Sequence, residues 1–63
     1  MLKAYRIKMG YTQEELAELI EISWRQMQRI EKGKCVPSIQ TLKKLILVLN
    51  ISDEDIAKYI KSL

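Results

Sequence analysis

The sequence predicts an all-α fold, a compact bundle of five helices. Apolar residues recur at three- and four-residue spacing along most of the chain, the signature of amphipathic helices. Only two glycines and one proline interrupt 63 residues rich in Leu, Ile, Lys and Glu, a composition that favours helix over strand. Candidate capping residues stand before the helical runs at Thr12, Ser23 and Ser52. At this length there is one domain, residues 1–63, with a stability on the order of 3–9 kcal/mol. Such a domain has little room for a ligand pocket of roughly 300–1,000 Å³.

The first helix is expected over Met1 to Met9. Leu2, Tyr5, Arg6 and Met9 fall on one face, and Gly10 then ends the helix in a left-handed cap. Arg6 is the charged exception on that face. An arginine there either finds a carboxylate partner or snorkels to the surface. Thr12 opens the second helix, about Gln13 to Ile20. With Glu15 three residues on it makes a capping box, and Glu14 and Glu15 suit the positive end of the helix dipole. Leu16, Ala17 and Ile20 face inward. Glu21, Ile22 and Ser23 form a tight turn, in which apolar Ile22 plugs the gap between helices and Ser23 caps the next helix.

The third helix, about Trp24 to Lys32, carries the most information. With about 100° of rotation per residue from Trp24, Met27 and Ile30 mark the buried side. Arg25, Gln28, Arg29 and Lys32 lie opposite, within a sector roughly 100° wide. Trp24 and Glu31 stand at the borders. The outward face has no acid. Arginine presents a fork to guanine O6 and N7, and glutamine can pair with adenine N6 and N7. An ordinary amphipathic surface helix would more often carry Glu and Lys pairs.

Gly33 closes the third helix, Lys34 to Pro37 is a loop, and Pro37-Ser38 begins the fourth. Leu42, Leu45, Ile46 and Leu49 supply its buried face, and Leu47 and Val48 leave it apolar nearly all round. Asn50 is a left-handed cap. Ser52 to Leu63 is the fifth helix, with Asp53, Glu54 and Asp55 in its first turn. Ile56, Tyr59, Ile60 and Leu63 are expected to pack inward or against a partner.

Net charge is +3, and between Ile22 and Lys34 four bases stand against one acid, a surplus equal to that whole charge. Such concentration favours an anionic partner, with a merely solvated basic face as the alternative. Cys35 is the single cysteine and there is no histidine. That excludes an internal disulfide, a zinc site of the usual ligands and the commonest general base. No apolar run approaches the roughly 20 residues that span a membrane.

These residues carry a family likeness. Gly10-Tyr11-Thr12-Gln13-Glu14-Glu15-Leu16-Ala17, Ile22-Ser23, Ile30-Glu31-Lys32-Gly33-Lys34, Pro37-Ser38 and Thr41-Leu42-Lys43-Lys44-Leu45 occur in that order. Together they resemble the Cro and phage-repressor type of helix-turn-helix domain, the XRE family, over nearly the whole chain. The resemblance implies a lambda-repressor-like five-helix domain that binds double-stranded operator DNA, mostly as a dimer on near-palindromic sites. No nucleophile–base pair or phosphate loop is visible and the acids are accounted for as caps, surface charge or the Arg6 partner, so no enzyme activity, cofactor, metal or small-molecule ligand is expected. The expected setting is cytoplasmic and nucleoid-associated, of bacterial or phage origin, as either a minimal Cro-like regulator or an excised domain.

Residue by residue, the resemblance implies that Arg6 and Glu31 form a buried salt bridge. Gln13 would contact phosphate and prop the recognition helix. Trp24, Arg25 and Arg29 match base-reading positions, and Gln28 shares their face. Thr12, Lys32, Lys34 and Ser38 would contact phosphates on either flank. Two departures stand out. Glu21 occupies a turn position that is often glycine, where a left-handed conformation would strain it. Trp24 is unusual at a base-reading position. It would touch a thymine methyl or a sugar, or fold over the domain edge, with partial packing favoured. Leu47, Val48, Ile51 and Tyr59 are the candidates for a homodimer surface, weak without DNA. The competing reading is a protein-interaction module of the same fold, an antitoxin or co-regulator subunit, whose third helix would be apolar or mixed in charge.

Overall fold

The polar residues that precede four of the five helical runs set the architecture. In the computed structural model, which describes residues 1–63, five helices follow one another: α1 (Leu2–Lys8), α2 (Gln13–Leu19), α3 (Trp24–Glu31), α4 (Ile39–Leu49) and α5 (Asp53–Ser62). Four begin at a side-chain cap. The hydroxyls of Thr12, Ser23, Ser38 and Ser52 accept from the backbone N–H three residues on, at 3.0–3.2 Å. Each satisfies one of the orphan donors of a first turn. At Thr12 the box is reciprocal, since its N–H donates to Glu15 Oε1 at 2.9 Å. These bonds, the backbone one first, hold the Glu15 carboxyl below its ordinary value of 4.5. A carboxyl depressed in the folded state stabilises fully above its unfolded pKa and loses that contribution as pH falls through the folded value. Urea midpoints between neutral pH and about pH 3 should therefore fall more steeply for the native protein than for Glu15→Gln.

Three chain reversals use positive φ beyond the helix ends: Gly10 at 83°, Gly33 at 74° and Asn50 at 51°. The fourth is Glu21, at 61°, the residue of the α2–α3 turn. The turn keeps the left-handed conformation and accepts the strain of a Cβ, about 1–2 kcal/mol. Glu21→Gly should stabilise the fold by up to about 1 kcal/mol after the extra chain entropy of glycine, read as a higher urea midpoint. The Glu21–Lys44 ion pair, 3.5 Å and well exposed, is too solvated to reverse that sign.

The core sits where α2, α3 and α4 meet. Leu16, Ile20, Met27, Leu45 and Leu49 are fully buried, joined by Leu2, Ala17, Ile30 and Ile51. Ile22 packs half-buried against this cluster from the turn. Several expectations need correction. Met9 caps α1 rather than extending it and turns outward, 44% exposed, because the chain must leave the helix toward Gly10. Ile51, read as partner surface, is only 6% exposed. The left-handed step at Asn50 folds it back under α4, and its N–H donates to Ile46 O. Of the two alternatives for the fifth helix, inward packing holds for the half-buried Ile56 and Tyr59, whereas Ile60 and Leu63 are more than half exposed, which leaves them only the partner-facing alternative. Burial pushes the Tyr59 hydroxyl up, with the nearby Cys35 adding to it.

One long-range polar tie holds the ends of the chain. Tyr5 Oη donates to Asp55 Oδ2 at 2.5 Å and accepts from the Ser52 N–H at 3.3 Å. It joins α1 to the first turn of α5, a contact that periodicity alone does not reveal. No helix is long and apolar enough to cross a membrane.

Candidate nucleic-acid interface

α3 buries Met27 and Ile30 and turns Arg25, Arg29 and Lys32 outward, with Gln28 half-buried beside them. The acid-free side inferred from rotation is therefore the side that α3 turns outward. Gln26, outside the expected sector, is exposed at its far border.

Beneath this face a polar network fixes the helix pair. Arg6 Nε donates to Glu31 Oε2 at 2.7 Å and Nη2 donates to Glu31 Oε1 at 3.3 Å. Nη1 donates to the Tyr11 carbonyl at 2.9 Å. The side chains of the pair are 10% and 4% exposed, so the charges are shielded from water and depend on one another. Gln13 completes the network. Its Nε2 donates to Glu31 Oε1 at 3.0 Å, and its Oε1 accepts from Trp24 Nε1 at 3.3 Å. The amide has one workable orientation, because a carboxylate only accepts and an indole N–H only donates. The first residue of α2 is thus latched to both ends of α3. Trp24, 49% exposed, is half packed and half open. It borders a shallow hollow that it shares with Lys3, Ile7, Thr12 and Gln13.

The flanks differ in what they can offer a phosphate. Lys32 and Lys34 are exposed. Thr12 accepts from Glu15 through its hydroxyl oxygen and keeps its proton to donate. The Ser38 hydroxyl instead donates to Thr41 Oγ1 at 3.1 Å. Its proton is thus taken up within the chain, while the first turn of α4 keeps N–H groups that have no intrahelical partner. Thr41, only 8% exposed, is the partner that the sequence did not suggest. No group of three or more His, Cys, Asp or Glu side chains converges to hold a metal.

A cationic, acid-free helix face, propped by a second helix across a tight turn, defines a helix-turn-helix DNA-binding protein. The model of the helix-turn-helix family HTH_3 matches residues 2–59. An uncharacterized HTH-type transcriptional regulator of Archaeoglobus fulgidus is 38% identical over 55 residues, covering 87% of this chain and 78% of that one. The uncharacterized regulator YazB of Bacillus subtilis is 38% identical over 56 residues, 89% and 81% of the two chains. A third such regulator, from Methanocaldococcus jannaschii, is 38% identical over 58 residues, 92% and 88%. No solved structure gives a significant match. The chain belongs to the XRE-type helix-turn-helix family and is a DNA-binding transcriptional regulator, not an enzyme.

Proposed function

We propose that this regulator is a repressor that binds a near-palindromic operator as a homodimer, with α3 of each copy in the major groove. Trp24, Arg25, Gln28 and Arg29 would read bases. Thr12, Gln13, Lys32, Lys34 and the first turn of α4 after Ser38 would hold the flanking phosphates and set the register. The observation that carries this is the outward face of α3, long, polar and free of acids, on a helix anchored at both ends by Gln13. A protein-docking helix would instead show a large apolar centre. The repressor role rests on the likeness to phage repressors.

Two recognition helices would lie about 34 Å apart, one turn of DNA. For the dimer surface, Leu47 at 80% exposure is the strongest candidate, with Val48 and Tyr59 half-buried beside the core and Ile51 withdrawn. So small an apolar surface suits a dimer that is weak alone and strengthened by DNA. Its working place would be the nucleoid, in the cytoplasm.

The test is selection from a random DNA pool at about 0.15 M salt, followed by titration of the winning site. A near-palindromic site preferred at least about a thousandfold over random DNA is the expected result. Weak, salt-sensitive binding with no enriched site would overturn the operator reading in favour of a protein-interaction module.

A further inference from the structure

We propose that Trp24 is a specificity-determining residue that recognises the C5-methyl group of a thymine in each half-site. The inference rests on the operator reading above and specifies what one of its residues recognises. Trp24 is the first residue of α3, and the N-terminal residues of a recognition helix are those that approach base edges. It stands one helical turn before Gln28 and continues the polar face at its border. Its single hydrogen-bond donor is already committed, at 3.3 Å, to Gln13 Oε1. That oxygen cannot turn away without placing the Gln13 amide oxygen against the Glu31 carboxylate. The indole therefore has no donor left for a base acceptor. What it still offers is about half of its surface, 49%, which is an apolar ring held in place by the bond at its edge. In the major groove the one apolar feature that distinguishes a base pair is the thymine methyl. A fixed aromatic surface at this position matches that group and has nothing to offer a guanine or adenine acceptor.

The experiment uses the enriched operator and replaces each thymine in turn by uracil, which lacks only the methyl. Binding of the native protein is read by the fluorescence of its single tryptophan, and binding of variants by anisotropy of labelled DNA. At one thymine per half-site the native protein should lose about three- to fivefold in affinity, the value of burying one methyl-sized group. Trp24→Ala should bind both DNAs equally at that position. Trp24→Phe keeps a ring but loses the bond to Gln13, and it should retain the discrimination. If only the Gln13 latch matters, Trp24→Phe should behave like Trp24→Ala. Uracil that is neutral at every position overturns the assignment. So does an equal uracil penalty in Trp24→Ala, or a Trp24→Ala loss that is the same on all DNA, the mark of a sugar contact. Failure to enrich any site overturns the operator reading and this assignment with it, whereas an enriched site indifferent to uracil overturns only the assignment.

Discussion

Glu31→Ala is expected to cost the fold about 3–5 kcal/mol, the usual consequence of removing one partner of a buried ion pair. The geometry argues for this range. Glu31 is the acceptor for Arg6 through two nitrogens and for Gln13 through a third, and its side chain is 4% exposed. Alanine would leave the guanidinium in a shielded site with only the Tyr11 carbonyl, and would leave the Gln13 amide without its acceptor. Against a total stability on the order of 3–9 kcal/mol, the variant should be marginal at best. Urea denaturation followed by circular dichroism measures it. The double replacement Arg6→Met with Glu31→Met should recover much of the loss, because no charge then remains to be desolvated. A cost for Glu31→Ala below about 1 kcal/mol would mean that water reaches the pair and that the network does not hold the helices.

Arg29→Ala should leave stability nearly unchanged and cost operator binding about 1–3 kcal/mol, with relaxed preference at one base position. Arg29 is exposed on the outer face of α3; its carbonyl accepts from the Lys34 N–H, a bond that alanine keeps, and its guanidinium makes no hydrogen bond or ion pair within the chain. Its whole effect should therefore appear in the complex. Lys34→Ala is the contrast. As a phosphate contact it should weaken operator and random DNA alike and lower the salt slope by about one. Competition titrations at several salt concentrations separate the two behaviours. Equal losses on operator and random DNA for Arg29→Ala would remove it from the base-reading set.

The helices, most of their caps and the polar face of α3 were legible in the sequence because each depends on residues within about one turn of one another. The Thr12–Glu15 box needs only a three-residue spacing. The separation of Met27 and Ile30 from Arg25 and Arg29 follows from helical rotation. The contacts that position the site are of another kind. Arg6 meets Glu31 across 25 residues, Trp24 meets Gln13 across 11 and Tyr5 meets Asp55 across 50. Family likeness pointed to the first of these and, by giving Gln13 as a prop for the third helix, to one side of the second, though not to Trp24 as its partner. The other two depend on helix crossings that no local pattern encodes.

Five amphipathic helices, four of them with side-chain caps, and a cationic, acid-free outer face on α3 follow from short-range hydrogen bonding and periodicity, and so could be read from the sequence. Tertiary structure alone decided that Ile51 belongs to the core and Met9 to solvent, and that Glu21 takes a left-handed turn without glycine. It also decided that the Trp24 donor is held by Gln13. The physical reason is the same throughout. Which side is buried, and which polar group finds a partner, is set by how helices cross, and a buried donor or acceptor must be satisfied by whatever that crossing brings within reach.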